Sequence, residues 1–256
     1  MFFSRMEDFL ERNIEGFFNS KFSSSLQMAE IEKFLDRLLL RHKQRVNRAI
    51  FVPDNFIITM SEADYTRLST PETFTHLKLF LYKSVILKDY FMAKKPTIDI
   101  LKSPKLKLGV CEIKAKFTTD ITIPKKRSTS LTADYEKQQT QGTIIAHNMT
   151  KFTTNTPKEP NFASLTILSG PDKDSYLEFG TNQIHIGRKD KNEFIITDLN
   201  VSRLHAYITF ENGRHILHDA NSLNGTSVNG KRITGFCLCP GDTIKMGNTS
   251  ILYDII

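Results

Sequence analysis

The fold of the C-terminal half is decided by residues 184–230, which read IHIGRKDKNEFIITDLNVSRLHAYITFENGRHILHDANSLNGTSVNG. Short apolar runs alternate in this stretch with turn residues, and no helical period is present. Asn212 and Gly213 separate two of the runs, and Asn-Gly is a strong signal for a two-residue β-hairpin. Further short runs, SLTIL, SYLEF, TIKMG and SILYDI, flank the stretch on both sides. Residues 163–256 are therefore predicted to form an all-β sandwich.

Three groups of polar residues fall in predicted loops between these strands: Gly187-Arg188, Ser202-Arg203-Leu204-His205 and Asn224-Gly225-Thr226. Loops at one end of a sandwich are where such folds place recognition residues. Ser202 close to His205 raises the alternative of a hydrolytic enzyme with a serine nucleophile. The sequence, however, has no G-x-S-x-G elbow, Walker loop, H-E-x-x-H or paired zinc motif. We therefore expect a binding site with no catalytic residue, no metal and no cofactor.

Five motifs of this region together resemble the forkhead-associated (FHA) family: IHIGR at 184–188, NEFII at 192–196, VSRLHA at 201–206, DANSLNGTSVNG at 219–230 and PGDTIKMG at 240–247. The resemblance implies an eleven-stranded β-sandwich whose apical loops bind phosphothreonine peptides. It implies that Arg188 and Ser202 contact the phosphate with help from Arg203, and that Asn224 hydrogen-bonds the peptide backbone. Structural roles within the loops are implied for Gly187, His205, Gly225 and Thr226.

The chemistry of these residue types agrees with that implication. A phosphothreonine carries about −1.5 to −2 charges and three strong acceptor oxygens, so a cation, a hydroxyl donor and turn amides suit it. Two or three charge-assisted hydrogen bonds, less the cost of ordering, predict micromolar affinity, about 8 kcal/mol in all. Position 223 is Leu, where some family members place a hydroxyl residue that adds to the phosphate contacts. We expect this departure to affect affinity and not the binding mode.

Residues 1–117 are predicted to form an α+β domain. Apolar residues at helical spacing predict one amphipathic helix from Phe2 to Phe18 and a second that carries Leu26 to Leu39 and ends in RHKQRVNR. AIFVPDNFIIT, residues 49–59, is predicted as extended chain broken by a turn. Ser61 and Thr70 are predicted to cap two following helices, and residues 97–101 and 108–117 are predicted as strands.

This N-terminal region resembles the domain that precedes the FHA domain in FhaA-like bacterial proteins. The resemblance depends on the helical stretches MEDFLERNIEGFF and MAEIEKFLDRLL and on FVPDNFIITMSEADYTRL at 51–68. It implies signalling through a bacterial Ser/Thr protein kinase, often linked to cell-envelope growth or division, and supplies no chemistry of its own.

Residues 118–162 are rich in Thr, Ser, Gln, Asn and Lys and are predicted to form a flexible linker. The linker repeats FTTD at 117–120 and FTTN at 152–155. A phosphorylated linker threonine would be held at high effective concentration beside an FHA domain in the same chain, which makes it one partner hypothesis. The ordinary threonine content of disordered linkers is the alternative.

Charge is distributed unevenly along the chain. Residues 1–120 hold 20 basic and 15 acidic residues, whereas residues 163–256 hold 9 and 10. A nucleic-acid or anionic-membrane contact through the basic N-terminal domain is therefore the alternative function, against the view that such cations are solvated helix-end charges. That contact would use Arg37, Arg41, Lys43, Arg45 and Arg48.

Three cysteines at positions 111, 237 and 239 give neither a disulfide framework nor a zinc ligand set. Acidic residues near the N-terminus argue against a secretory signal peptide, and no apolar run is long enough to span a membrane. Together these features predict a cytoplasmic protein.

Overall fold

The computed structural model describes the backbone of residues 14–19 and, in full, residues 25–118 and 160–256. The described residues all belong to one compact unit. The predicted linker falls almost entirely on residues 119–159, which lie outside the described residues, as do residues 1–13. The predicted domain boundaries at 117 and 163 therefore stay predictions.

The N-terminal region contains both helices and strands, which confirms the predicted α+β class. The helices are α1 (Met28–Arg41), α2 (Glu62–Leu68) and α3 (Pro71–Leu87). The strands are β1 (Ile14–Asn19), β2 (Gln44–Val46), β3 (Ala49–Val52), β4 (Asn55–Met60), β5 (Phe91–Met92), β6 (Thr97–Lys102) and β7 (Val110–Lys116). One sheet has the order β1-β7-β4-β6 and a smaller one the order β2-β3-β5.

The predicted first helix is wrong over its last third. Ile14–Asn19 is strand β1, which pairs antiparallel with β7 from Ile14 opposite Ala115 to Asn19 opposite Val110. The stretch IEGFFN contains a glycine, which weakens a helix, and an isoleucine and two phenylalanines, which favour strands. A short apolar run has no decisive period, so pairing to a neighbouring strand determines its structure. The first part of the predicted helix lies outside the described residues.

The second predicted helix is confirmed, but α1 ends earlier than its basic tail suggested. Ile31, Phe34, Leu35, Leu38 and Leu39 are buried, as the helical spacing required. After Arg41 the chain forms β2 and turns back through Asn47, whose φ is 56°. Asn tolerates this left-handed conformation, which a continuing helix excludes. The segment RHKQRVNR therefore spans a helix end and a hairpin.

Both predicted helix caps are present. The hydroxyl of Ser61 accepts from the Asp64 N–H at 3.2 Å, and that of Thr70 accepts from the Thr73 N–H at 3.3 Å. Asp64 is fully buried and accepts hydrogen bonds from the backbone N–H groups of Leu26 and Gly109. Although burial by itself raises the pKa of the Asp64 carboxyl, these hydrogen bonds lower it overall. Asp64 thereby connects three chain segments around one carboxylate.

From Ala163 onward the chain forms eleven strands in two sheets, which confirms the predicted sandwich. The strands are β8 (Ala163–Ser169), β9 (Tyr176–Phe179), β10 (Ile184–Gly187), β11 (Phe194–Ile195), β12 (Ala206–Glu211), β13 (Arg214–Asp219), β14 (Thr226–Val228), β15 (Lys231–Ile233), β16 (Gly235–Cys237), β17 (Thr243–Met246) and β18 (Thr249–Ile255). One sheet has the order β11-β10-β12-β13-β16, and the other has the order β15-β14-β17-β18-β8-β9. The predicted Asn212-Gly213 hairpin joins β12 to β13, with both residues at positive φ.

The β12–β13 hairpin contacts the N-terminal region. The Met92 N–H donates to the Asn212 carbonyl at 2.9 Å. On α3, the Tyr82 ring stacks on Phe162 at 5.3 Å and meets Phe210 edge-on at 5.1 Å. Tyr82 and Ile86 are therefore part of the core cluster of the sandwich, separate from the core of their own α+β domain.

Arg214 is the polar residue at the centre of this contact, and its side chain is fully buried. Its guanidinium pairs with Asp89, donates to the Leu238 carbonyl at 3.1 Å and lies 5.1 Å from the centre of the Phe91 ring. Asp89 and Phe91 follow α3, whereas Leu238 belongs to the sandwich. One buried cation thus links both parts of the compact unit.

Candidate functional site

Three strand ends meet at one end of the sandwich and position the predicted site residues. In the antiparallel pair β10–β12, Ile186 lies opposite Ala206, so the end of β10 is next to the start of β12. Ala206 also lies opposite Asp219, the last residue of β13. The loops that continue from these ends, residues 188–205 and 220–225, are called the apical loops below. The β12–β13 hairpin that contacts the N-terminal region lies at the opposite end of β12.

Gly187 is the last residue of β10, and the backbone of the loop at residues 202–203 lies too close to it for a side chain. A Cβ atom added at this position would lie 2.6 Å from the Arg203 carbonyl oxygen and 2.9 Å from that of Ser202. The next residue, Arg188, donates its backbone N–H to the Ser202 carbonyl at 3.0 Å. The Arg188 side chain is exposed, and no hydrogen bond or ion pair joins its guanidinium to any other residue of 25–118 or 160–256. This cation is therefore available to an anion from solution.

Ser202 is half-buried, and its hydroxyl is oriented by the second apical loop. The Leu223 N–H donates to Ser202 Oγ at 3.1 Å. The oxygen accepts this bond through a lone pair, and the hydroxyl donates to no other residue of 25–118 or 160–256, so its proton is available to a ligand. The adjacent Arg203 is exposed, and its carbonyl accepts from the Lys189 N–H at 3.2 Å. The half-buried Ser202 and the exposed Arg203 thus both carry side-chain donors at this end of the sandwich.

His205 is fully buried and connects the two apical loops. Its Nδ1 accepts from the Ser202 N–H at 3.0 Å, and its Nε2 lies 3.3 Å from the Gly225 carbonyl, to which it donates. Burial lowers the pKa of His205, although the Gly225 carbonyl opposes that shift. The ring is therefore neutral at pH 7, and both of its nitrogens are occupied by loop backbone.

Asn224, Gly225 and Thr226 form the other side of the site. Asn224 is exposed, and its Nδ2 donates to the Asn200 carbonyl at 2.8 Å, which leaves its side-chain oxygen and one N–H directed to solvent. Gly225 has a φ of +77°, a conformation that favours glycine. Thr226 is fully buried and donates to Asp219 Oδ1 at 2.7 Å.

Two further residues, which the sequence reasoning missed, hold the apical loops through hydrogen bonds. Asn192 donates to the carbonyls of Lys189 and Arg203 at 2.8 and 2.9 Å. Asp219 accepts from the Ser222 hydroxyl at 2.6 Å, in addition to Thr226. Asn192 lies within NEFII and Asp219 within DANSLNGTSVNG, so their positions in the motifs were the available signal.

Asp198 has an equivalent role on the neighbouring side of the site. Its carboxylate accepts from the Asn200 and Asn248 N–H groups at 2.9 and 2.7 Å. Burial by itself raises the pKa of this carboxyl, but the hydrogen bonds lower it overall, so Asp198 stays ionised at neutral pH. No motif used in the sequence reasoning contained Asp198.

Elsewhere, the five cations of the alternative function are all exposed: Arg37, Arg41, Lys43, Arg45 and Arg48. Arg37 and Arg41 lie in the C-terminal half of α1, and Arg45 and Arg48 lie in the β2–β3 hairpin. Lys43 connects the two elements and lies 5.7 Å from the centre of the Tyr90 ring. Exposure is the ordinary state of such charges and does not distinguish a binding surface from a solvated one.

The described part of the chain has neither a metal-ligand cluster nor a membrane-spanning helix. Residues 25–118 and 160–256 contain no group of three or more His, Cys, Asp or Glu side chains placed to hold a metal. Among the helices of these residues, none has the length and apolar character needed to span a bilayer.

Comparison with known families identifies both parts of the chain. Residues 3–114 match the family described as the FhaA N-terminal domain, and residues 184–247 match the FHA domain. This protein therefore carries an FhaA-type N-terminal domain followed by an FHA domain, and both resemblances inferred from the sequence are confirmed.

Two mycobacterial relatives show the extent of the similarity. The FHA domain-containing protein FhaA of Mycobacterium tuberculosis is 34% identical over 89 residues, which are 35% of this chain and 16% of the relative. The glycogen accumulation regulator GarA of the same species is 30% identical over 94 residues, 37% of this chain and 58% of the relative. The chain thus spans less than two thirds of the length of either curated relative.

Solved FHA structures align with the same region. One is the FhaA FHA domain in complex with the intracellular domain of Rv3910, with 30% identity, 36% of this chain and 98% of that chain covered, and a TM-score of 0.33. Another comes from a structural and functional study of phosphothreonine-dependent FHA domain interactions, with 28% identity, 37% and 97% coverage, and a TM-score of 0.35.

Proposed function

We propose that this protein is a non-enzymatic signalling adaptor whose FHA domain binds phosphothreonine-containing segments of other proteins. The observation that carries the proposal is the state of Ser202: its hydroxyl oxygen accepts from the Leu223 N–H, which leaves the hydroxyl proton for a ligand. The exposed Arg188 guanidinium, which has no partner among residues 25–118 and 160–256, supplies positive charge, and Asn224 supplies donor and acceptor groups for a peptide backbone. This is the set of groups that a phosphate ester on an extended peptide requires.

Within residues 25–118 and 160–256 no base is hydrogen-bonded to the Ser202 hydroxyl, which supports binding without turnover. His205 is the histidine nearest to Ser202 in sequence, but its two nitrogens are bonded to the Ser202 N–H and the Gly225 carbonyl. A nucleophilic serine needs a base within hydrogen-bond reach of its hydroxyl. We infer that Ser202 donates a hydrogen bond and does not attack the ligand.

The phosphate is assigned to Arg188 and Ser202, with Arg203 assisting, and the peptide backbone to Asn224. Gly187, His205, Gly225 and Thr226 are assigned to loop structure. Each charge-assisted hydrogen bond contributes about 1.5–3 kcal/mol, and after ordering costs the sum corresponds to micromolar affinity.

Two features set the cellular context that we propose. The kinase that phosphorylates the partners is expected to be a bacterial Ser/Thr protein kinase, as the FhaA-type N-terminal domain suggests. All three cysteines are free thiols, which accords with the reducing cytoplasm in which such a kinase acts. A role in cell-envelope or division control, and docking of a phosphorylated linker threonine, stay further expectations.

The test is fluorescence anisotropy of the full chain with a degenerate phosphothreonine peptide library and its unphosphorylated counterpart. Micromolar binding of the phosphorylated library alone is the expected result. Arg188→Ala should abolish it, whereas Arg48→Ala, which removes the same charge from the N-terminal domain, should not. Equal binding of both libraries, or equal effects of both substitutions, would refute the proposal.

A further inference from the structure

Arg232 is a cation beside the apical loops that lies outside the five sequence motifs and has no part in the phosphate assignment to Arg188 and Arg203. It lies on β15, where it pairs with Ser227 of β14. The residue is exposed, and no hydrogen bond or ion pair links its guanidinium to another residue of 25–118 or 160–256. An arginine of this kind is ordinarily a solvated surface charge, unless its position is fixed.

The guanidinium of Arg232 packs against Gly225. A Cβ atom added to Gly225 would lie 2.4, 2.5 and 2.6 Å from Nη2, Cζ and Nε of Arg232. Three guanidinium atoms at nearly equal distances mean that the planar group lies face-on against the glycine, with Nη2 within about 4 Å of its Cα. Only a residue without a side chain leaves room for this contact. One face of the guanidinium therefore lies on the backbone, and its N–H groups have no hydrogen-bond partner within residues 25–118 and 160–256.

Gly225 directly follows Asn224, the residue assigned to the peptide backbone. Arg232 therefore lies beside the residue that follows the proposed peptide contact, within reach of a peptide that extends from Asn224 toward β15, since successive residues of an extended peptide advance about 3.3–3.6 Å. Arg188 follows β10 of the five-stranded sheet, whereas Arg232 lies on β15, the edge of the six-stranded sheet. The two cations belong to opposite sheets and can contact different parts of one ligand.

We propose that Arg232 determines specificity by pairing with a carboxylate side chain of the phosphopeptide, a few residues from the phosphothreonine. This inference rests on the proposed phosphopeptide function and adds a sequence preference to it. A guanidinium presents a planar fork of N–H donors that matches a carboxylate, and here the fork is already oriented by its packing on Gly225. The partner is therefore an acidic phosphothreonine segment.

The experiment measures anisotropy of the full chain with phosphothreonine peptides that carry Asp or the isosteric Asn at each position flanking the phosphoresidue in turn. At one position, the Asp peptide should bind the wild-type chain about two- to fivefold more tightly, as expected for a solvent-exposed ion pair. Arg232→Gln should remove this ratio, while its effect on the affinity for the Asn peptides should be no larger than that of Lys231→Gln. Lys231→Gln, the same charge change at the exposed neighbouring residue, should keep the ratio.

The outcomes separate this inference from the function on which it rests. If the wild-type chain prefers no Asp peptide, or if Arg232→Gln retains the preference, the role of Arg232 is wrong while phosphopeptide binding stands. If the unphosphorylated peptides bind as well as the phosphorylated ones, the proposed function itself fails. A preference lost equally in Lys231→Gln would show general charge attraction and would also overturn the assignment.

Discussion

Replacing Arg214 with alanine tests whether the two parts of the compact unit depend on each other for stability. Arg214 is fully buried and donates to the Leu238 carbonyl at 3.1 Å, with a longer contact of 3.5 Å to the Tyr90 carbonyl. Its loss leaves buried carbonyl groups without a donor, at about 1–3 kcal/mol each, and removes the packing on Phe91. Relief of the arginine's own desolvation offsets part of this cost.

We expect Arg214→Ala to lower the free energy of unfolding by about 3 kcal/mol, which for a chain of this size lowers Tm by roughly 6–12 °C. Thermal and urea unfolding of the full chain measure the effect. Asp89→Asn is the matched variant, because asparagine accepts the positive φ of 54° at that position and removes only the charge. The Asp89 side chain is 75% exposed, so this change should cost less than about 1 kcal/mol. An Arg214→Ala midpoint equal to that of wild type would refute the reasoning.

Four further predictions concern the site and the fold. Ser202→Ala should weaken phosphopeptide binding about 10- to 100-fold in calorimetry, because one charge-assisted hydrogen bond is lost, with little change in Tm since the Leu223 N–H can bond to water. Gly187→Ala should reduce both the free energy of unfolding and the phosphopeptide affinity, because the added Cβ would clash with the Arg203 carbonyl. Urea unfolding measures the first quantity and anisotropy the second, and wild-type values for both would contradict this prediction. Burial lowers the pKa of His215 to about 4, below its ordinary value of 6.5. The stability that this neutral histidine contributes is therefore fully present above pH 6.5 and is lost as the pH falls toward 4, by about 3 kcal/mol. His215→Gln should flatten the pH dependence of Tm over that interval. If the basic cations of α1 and the β2–β3 hairpin only contact solvent, binding of the full chain to nucleic acid or anionic vesicles should be undetectable at 150 mM salt; a steep salt dependence of tight binding would favour the alternative function.

The sandwich, and the meeting of the predicted site residues at one end of it, could be predicted because the information is local. Each apical residue sits next to a strand end that a short apolar run defines, and the Asn212-Gly213 turn fixes one hairpin register. Pairing then brings Ile186, Ala206 and Asp219 side by side. The loops that follow these residues meet as a consequence.

Other features depend on contacts between distant residues, and local patterns do not encode them. The strand Ile14–Asn19 has the spacing of a helix and becomes β1 only because β7, nearly a hundred residues later, pairs with it. Asp198 accepts a hydrogen bond from the Asn248 N–H, which lies 50 residues later in the chain. Arg214 resembled any surface arginine in the sequence, and its burial against Asp89 follows from tertiary packing alone.

The most direct test of the central claim is titration calorimetry of the full chain with one phosphothreonine peptide selected from the library and with the same peptide lacking the phosphate. We predict a micromolar Kd for the phosphorylated peptide, no measurable heat of binding for the bare one, and loss of binding in Arg188→Ala. Equal affinity for the two peptides, or full affinity in Arg188→Ala, would contradict the account.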